Sequence, residues 1–288
     1  MAEPKSVTTV ERDGLVFDVL VDGPPDGEPI LLLHGFPERA TSWRLVAPLL
    51  HEAGYRTLAM DQRGYSRGAR PRRRRDYRAS ELMADALTVV DALVGPQGRA
   101  HVVGHDWGAI PAWLLAAHHA DRVASLTAVS VPHPQAFLTA MVRSEQLLKS
   151  WYMLAFQLPR LPELVLGRTD DLAARQLRAA GFTAEDVARF RTEIVEDGAL
   201  PTALNWYRAL PLGDPRLMRR RVSVPTTMVW SDQDVALSRW GAEHAGDWVD
   251  GPYRFVELGG VSHWIPTQAP EALADAILHR VRSTDPAS

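Results

Sequence analysis

An aspartate stands at a turn that could present it as a nucleophile. Asp106 is the middle residue of segment 104–108 (Gly-His-Asp-Trp-Gly), which follows a short apolar run and precedes a predicted helix. A nucleophile between a strand and a helix needs a sharp turn that exposes its side chain, and small residues on either side let the two elements pack closely. Aspartate is also a common helix N-cap. The segment alone therefore leaves two interpretations open, a nucleophilic carboxylate and a helix cap.

Backbone donors near such a nucleophile would come partly from an earlier loop. Segment 34–37 (His-Gly-Phe-Pro) directly follows the apolar run 30–33. Where a nucleophile lies on a strand-to-helix turn, the N–H of the next residue and an N–H of this loop form an oxyanion hole. This interpretation assigns the two backbone donors to Trp107 and Phe36. A plain Gly/Pro turn is the simpler interpretation of the loop.

An acid and a base follow much later in the chain. His263 lies in segment 259–264 (Gly-Gly-Val-Ser-His-Trp), and Asp232 and Asp234 follow an earlier apolar run. A histidine can act as a general base, and a carboxylate on its other ring nitrogen holds the correct tautomer. A single histidine is more often structural. The order Asp106, Asp234, His263 nevertheless matches the order of nucleophile, acid and base in the α/β-hydrolase fold.

The elements that must position these residues alternate along much of the chain. Apolar runs predict strands over 7–11, 15–21, 30–33, 57–60, 102–103, 123–129, 226–230 and 253–258. Helical spacing predicts helices over 43–51, 81–94, 107–119, 239–248 and 270–281. Continuous apolar strands that alternate with helices are typical of an α/β fold, with a mostly parallel central sheet flanked by helices.

One long segment interrupts this alternation. Residues 132–221 have helical spacing and no clear strand. The sequence therefore predicts an α/β core domain formed by residues 1–131 and 222–288, and a helical lid formed by residues 132–221. The arginine-rich segment 70–75 reads as a solvated loop, because no aromatic or glycine-rich partner accompanies it.

Composition excludes several classes of function. The 288 residues include 32 basic and 35 acidic side chains, so the net charge of −3 does not favour nucleic acid as a partner. Cysteine is absent, which excludes a thiolate nucleophile and a cysteine-bound metal. The first ten residues lack the apolar core of a signal peptide, and no apolar run is long enough for a membrane span. We therefore expect a soluble, cytoplasmic protein without a membrane partner.

The chain resembles the α/β hydrolases, and within them the epoxide hydrolases, from about residue 16 to residue 281. The matching motifs are His-Gly-Phe-Pro-Glu at 34–38, Gly-His-Asp-Trp-Gly-Ala at 104–109 and Ser-His-Trp at 262–264. Two aromatic segments of the lid, 151–157 and 205–208, also match. The family uses one tyrosine of each lid segment to hold the epoxide oxygen, which here implies Tyr152 and Tyr207.

The chain departs from the family pattern at two places near these motifs. Ser231 stands where the family usually has glycine before the acid loop, so the acid is either Asp234, which the spacing favours, or Asp232. Segment 61–68 is a variant of the usual Gly-Tyr-Gly-x-Ser loop. We expect this variant to alter a structural turn beside the site and not the chemistry.

The residue types fit an epoxide hydrolysis in two steps. The carboxylate of Asp106 is ionised near neutral pH and could attack a saturated carbon directly, which would form an ester. The phenols of Tyr152 and Tyr207 would stabilise the opened oxygen. His263, oriented by the acid, would then activate water for attack on the ester, and the product would be a vicinal diol.

The resemblance implies that the substrates are an epoxide and water, and that neither a cofactor nor a metal is needed. Adjacent His118 and His119 point in different directions on a helix and make a poor metal site.

Two alternative functions are compatible with the same residues. A haloalkane-type dehalogenase uses the same nucleophile, acid and base, and the Trp107 indole could bind halide. Haloalkane enzymes often have asparagine where Phe36 stands, and the fluoroacetate type has arginine where Trp107 stands. A non-catalytic ligand-binding module on this fold is the other alternative.

The lid is rich in apolar and aromatic residues, which favours an apolar or aromatic epoxide. The sequence leaves open detoxification or secondary metabolism, and a monomer or a homodimer.

Overall fold

An eight-stranded sheet forms the centre of the molecule. The computed structural model describes residues 6–168 and 171–284. The strands are β1 (Ser6–Arg12), β2 (Leu15–Asp22), β3 (Pro29–Leu33), β4 (Arg56–Met60), β5 (Ala100–His105), β6 (Val123–Val129), β7 (Thr226–Gln233) and β8 (Tyr253–Ser262). They lie in the order β1-β2-β4-β3-β5-β6-β7-β8. β2 pairs antiparallel with β1 and β4, and every other pairing is parallel. The predicted mostly parallel sheet is thereby confirmed.

Alternate residues of the central strands face two separate apolar layers. Leu31 and Leu33 of β3 pack with helices on one face of the sheet, and Ile30 and Leu32 pack with helices on the other. The helices of the core are α1 (Ala47–Glu52), α2 (Ala79–Val94), α3 (Ala109–His118), α12 (Arg239–Glu243), α13 (Ile265–Gln268) and α14 (Pro270–Arg282). Burial on both faces explains why these strands read as continuous apolar runs.

Some predicted helices are divided. The helix expected over 43–51 is a 3-10 helix (Ala40–Leu45) followed by α1. Pro48 lies in the first turn of α1, where its missing N–H costs nothing, whereas in the interior of a helix it would break a hydrogen bond. Likewise the helix expected over 239–248 is α12 followed by a 3-10 helix (His244–Trp248).

The described residues between β6 and β7 form helices and turns, and we keep the name lid for residues 132–221. The helices are α4 (Pro134–Arg143), α5 (Gln146–Lys149), α6 (Trp151–Ala155), α7 (Leu161–Leu166), α8 (Asp171–Ala179), α9 (Ala184–Arg189), α10 (Leu200–Ala203) and α11 (Asn205–Ala209). A π-helix (Phe190–Glu196) and the 3-10 helices Leu210–Leu212 and Leu217–Arg219 complete it. No helix in the described part of the chain is long and apolar enough to cross a membrane.

Polar contacts attach the lid to loops of the core. The Asp197 carboxylate pairs with Arg39 at 3.4 Å, with Arg67 at 2.6 Å and with Arg70. The Trp206 indole N–H donates to the Arg63 carbonyl at 2.7 Å. Three of these core residues belong to the variant loop 61–68 or to the arginine-rich segment. The loop is therefore a docking point for the lid, and Arg70 is an exception to the expected solvated run.

Candidate active site

Asp106 lies at the carboxyl end of β5, on a turn with unusual backbone geometry. Its φ is +50°, a left-handed conformation that costs energy in a residue other than glycine and is common at functional sites. A methyl group on Gly104 would lie 2.3 Å from the Gly108 carbonyl oxygen, and one on Gly108 would lie 2.2 Å from the Leu33 oxygen. Because both glycines lack a side chain, β5, the turn and α3 can pack closely enough for the Asp106 carboxylate to project from the turn.

The structure brings the predicted nucleophile, acid and base together. His263 Nδ1 lies 2.7 Å from Asp234 Oδ2, and His263 Nε2 lies 3.3 Å from Asp106 Oδ2. All three side chains are buried. The other oxygen of Asp234 accepts hydrogen bonds from the N–H groups of Ala236 and Leu237, each at 2.8 Å. These bonds fix the carboxylate against the imidazole.

Asp232 takes a different position from Asp234. Its Oδ1 accepts a hydrogen bond from the Gly260 N–H at 2.7 Å, in an exposed loop contact. The two acids that the sequence left as alternatives are thus separated by their contacts. Asp234 faces the histidine, and Asp232 holds the end of β8.

The two oxygens of Asp106 have different partners. Oδ1 accepts a hydrogen bond from the Phe36 N–H at 2.7 Å, which is one of the two predicted backbone donors. Oδ2 faces His263. An ester formed through Oδ2 would therefore leave Oδ1 beside the Phe36 N–H, where a tetrahedral intermediate would place its negative charge.

Charge coupling sets the protonation of this group. Burial alone would raise the pKa of Asp106, but the hydrogen bond and charge of His263 outweigh it and lower that pKa. Burial alone would lower the pKa of His263, but the charges and hydrogen bonds of Asp234 and Asp106 raise it to about 10. At neutral pH the imidazolium therefore lies between two carboxylates.

The two lid tyrosines lie together beside Asp106. The rings of Tyr152 and Tyr207 are 6.0 Å apart, and the Tyr207 ring meets the Trp107 ring edge-on at 4.7 Å. Burial raises the pKa of both phenols above its ordinary value, so both keep their protons at neutral pH.

Two apolar cavities meet at this point. Cavity A has a volume of about 410 Å³ and cavity B of about 380 Å³. Asp106, Tyr152 and Tyr207 line both. The other walls of cavity A include Phe36, Lys149, Trp151, Phe156, Leu177, Phe182, Val235 and His263. Those of cavity B include Trp107, Phe137, Leu138, Met141, Met153, Asp214, Met218 and Leu237. A small molecule with two substituents could place one in each cavity.

Several supporting contacts had no signal in the sequence. The carbonyl oxygen of His263 contacts His105 Nε2 at 2.9 Å and accepts a bond from the Ser130 hydroxyl at 3.2 Å. Gln146 of the lid donates to the Ala236 carbonyl and accepts from the Ser238 N–H, both at 2.7 Å. These contacts join residues distant in sequence, so no local motif reveals them.

The histidines weighed as metal ligands have other surroundings. His118 Nε2 lies 3.0 Å from the Leu217 carbonyl oxygen. The described residues contain no group of three or more His, Cys, Asp or Glu side chains arranged to hold a metal ion.

The sequence is similar to α/β hydrolases and to proteins named epoxide hydrolases. A family model described as the alpha/beta hydrolase fold matches residues 28–270. The chain is 36% identical to a Bacillus subtilis (strain 168) protein named AB hydrolase superfamily protein YfhM, over 95% of this chain and 97% of that one. It is 32% identical to epoxide hydrolase A of Mycobacterium tuberculosis, over 93% of this chain and 95% of that one.

A solved structure matches over almost the whole chain. Epoxide hydrolase A from Mycobacterium thermoresistibile is 29% identical and superposes with a TM-score of 0.78, over 96% of this chain and 98% of that one. The sheet order, the turn at Asp106 and these similarities lead to one assignment: the chain belongs to the α/β-hydrolase fold family and, within it, to the epoxide hydrolase group.

Proposed function

We propose that the protein hydrolyses an apolar or aromatic epoxide to a vicinal diol, as a hydrolase that acts on ether bonds. The observation that carries this proposal is the pair of protonated phenols, Tyr152 and Tyr207, beside the Asp106 carboxylate where two apolar cavities meet. Opening an epoxide creates negative charge on its oxygen, and two O–H donors can share that charge and supply a proton. Relatives named epoxide hydrolases support the same substrate class.

In the first step Asp106 Oδ2 attacks one ring carbon. The C–O bond of the ring breaks, its electron pair goes to the epoxide oxygen, and a phenol supplies the proton. The product is a 2-hydroxyalkyl ester of Asp106. The carboxylate needs no base for this attack because its pKa is lowered and it is already ionised.

In the second step His263 removes a proton from water, which attacks the carboxyl carbon of the ester. The new oxyanion forms at Oδ1, which accepts a hydrogen bond from the Phe36 N–H, and the Trp107 N–H is the second donor of this proposed oxyanion hole. The bond between the carboxyl carbon and the substrate oxygen then breaks, and protonated His263 gives its proton to the leaving alkoxide, which forms the diol. The proton on the new carboxyl group of Asp106 restores the phenol that was deprotonated in the first step. Esterification removes the charge of Asp106, which is one cause of the raised pKa of His263. The first step therefore lowers the pKa of the base that the second step needs.

One contact favours an epoxide over a haloalkane. A halide leaving group needs free N–H donors, and the Trp107 indole was the candidate donor. In the structure the Tyr207 ring lies edge-on against the Trp107 ring at 4.7 Å, so a leaving group at this position also meets a phenol that can supply the proton an epoxide oxygen needs. A non-catalytic role is disfavoured by the close set of Asp106, His263 and Asp234.

Trapping the ester tests the proposal. His263→Gln should open an epoxide such as styrene oxide once and then stall, because Asp106 needs no base but the ester does. Intact-protein mass spectrometry should show a gain equal to one substrate, located on the peptide that contains Asp106. Asp234→Asn should accumulate the same adduct but release it faster, since the imidazole remains.

Asp232→Asn is the matched control, because the side-chain hydrogen bond of Asp232 goes to the Gly260 N–H and not to His263. It should behave as the wild type. The covalent route is wrong if no His263 variant carries an adduct while the wild type forms diol. Halide release from haloalkanes without diol formation from epoxides would favour the dehalogenase.

A further inference from the structure

One cation in the cavity walls has no part in the two chemical steps. Lys149, half-buried at the end of α5, lines cavity A. Its Nζ donates to the Asp234 carbonyl oxygen at 2.7 Å and to the Leu237 carbonyl oxygen at 3.1 Å. An ammonium group has three N–H donors, so one is left over. Among the side chains that the structure describes, those of residues 6–168 and 174–284, Lys149 forms no ion pair with a carboxylate. One N–H of its ammonium group therefore has no acceptor among them.

The two cavities differ in charge around this lysine. Besides Asp106 and His263, which belong to the reaction, Lys149 is the charged side chain that lines cavity A. The corresponding side chain of cavity B is an acid, Asp214. The charge of Lys149 therefore favours an anionic group in cavity A, and the charge of Asp214 disfavours an anionic group in cavity B.

We propose that Lys149 binds a carboxylate on the substrate, so that the natural epoxide carries an acidic substituent in cavity A and an apolar one in cavity B. This inference rests on the proposed function, which it narrows to epoxides with substituents on both ring carbons. The free N–H of the ammonium would donate to the carboxylate, and apolar walls such as Trp151 and Phe156 would strengthen that charge-assisted bond. The negative charge of Asp106 does not prevent this, because His263 lies 3.3 Å away.

A pair of matched substrates tests the proposal. One is an epoxide with an alkyl group on one ring carbon and a short chain ending in a carboxylate on the other, and the second is its methyl ester. The wild type should have a higher kcat/KM for the acid. Lys149→Met keeps the length of the side chain and removes the charge. It should lower kcat/KM for the acid about tenfold or more, mainly through KM, because a charge-assisted hydrogen bond is lost.

The ester and two further variants separate recognition from loop positioning. Lys149→Met should lower kcat/KM for the ester by a smaller factor than for the acid, because the ester loses only the support of the Asp234 loop, whereas the acid also loses the charge-assisted bond. Lys149→Arg should retain the preference for the acid. Arg143→Met, which removes an exposed cation of the same lid that lines neither cavity, should leave both substrates unchanged. Equal losses on acid and ester in Lys149→Met would overturn the proposal and leave Lys149 as a support for the Asp234 loop. A wild type without preference for the acid would also overturn it.

Binding of the unreactive diol acid separates this inference from the proposed function. Calorimetry should show that the diol acid binds the wild type more tightly than its methyl ester does, and that Lys149→Met removes the difference. If the wild type turns over neither epoxide but binds the diol acid in this manner, the reaction assignment fails and the anion site stands. If turnover occurs but Lys149→Met leaves both the acid preference and the diol binding intact, the anion site fails and the reaction assignment stands.

Discussion

At the scale of single residues, the phenols of Tyr152 and Tyr207 are not equivalent. Tyr207 is almost completely buried and its ring lies edge-on against Trp107, whereas Tyr152 is partly exposed. Either Tyr152→Phe or Tyr207→Phe should slow ester formation about 10- to 100-fold, and the double change should lose most of the activity, because each phenol can supply a proton. Single-turnover measurement of the adduct would give the rates. Tyr253→Phe, on β8 and outside both cavities, is the control. A double variant with normal turnover would reduce both tyrosines to packing residues.

The coupling between Asp106 and His263 predicts different pH profiles for the two steps. With Asp106 ionised, the pKa of His263 is about 10, since the raising effect of both carboxylates exceeds the lowering effect of burial. In the ester the contribution of Asp106 is gone, so the pKa of His263 falls. Only neutral His263 can accept a proton from water, so ester hydrolysis should increase with pH up to that lower pKa.

Ring opening should behave differently, because it requires ionised Asp106, whose pKa is lowered. Its rate should be flat from about pH 6 to 9. Single-turnover kinetics at a series of pH values would separate the two rates. Parallel increases of both rates with pH would contradict the assignment of His263 to the second step only.

At the scale of elements, the contact between β5, the Asp106 turn and β3 leaves no space for a side chain. Gly108→Ala should destabilise the protein by about 1–3 kcal/mol or more, because the new methyl group would lie 2.2 Å from the Leu33 carbonyl oxygen. The φ of Gly108 is −65°, so alanine meets no backbone strain there and the loss would measure crowding alone. Urea denaturation gives the free energy of unfolding.

Gly213→Ala is the matched control for that crowding. Gly213 also has an ordinary φ, −74°, and a methyl group there would lie 3.5 Å from the Leu210 carbonyl oxygen, which is an ordinary van der Waals distance. Its free energy of unfolding should change by less than about 0.5 kcal/mol. Equal stabilities of the two variants would show that the turn can move to admit a side chain.

The elements also show what local sequence could and could not predict. Asp106 and His263 were found because each follows an apolar strand that reads clearly on its own, and parallel strands bring their carboxyl ends together. The contacts of Lys149 and Gln146 have no sequence signal. Both residues lie near the start of the lid, whereas their partners lie in the Asp234–Ser238 loop, which follows the lid in the chain. Such contacts depend on how the lid packs on the core, which no local periodicity encodes.

At the scale of the whole molecule, Asp197 holds the lid to three arginines of the core. Asp197→Ala should lower the free energy of unfolding by about 2–3 kcal/mol, because a nearly buried carboxylate with charged partners is removed. Limited proteolysis should cleave the lid faster in this variant. Asp250→Ala removes an ion pair with Arg221 in which both side chains are about half exposed, and it should cost less than about 1 kcal/mol. Equal costs would mean that the Asp197 cluster contributes no more than a surface pair.

The insertion of the lid between β6 and β7 has a consequence for biosynthesis. The ribosome completes Asp106 and its turn before the lid, and it makes Asp234 and His263 only afterwards. A nascent chain that has reached the lid therefore has a potential nucleophile but neither a base nor the strands β7 and β8 that carry the acid and the base. Until those strands dock, the edge of β6 is unpaired and open to association with other chains. Docking of β7 and β8 closes this edge and also completes the set of residues that the proposed two-step reaction needs, so on this proposal catalytic competence appears together with protection from aggregation.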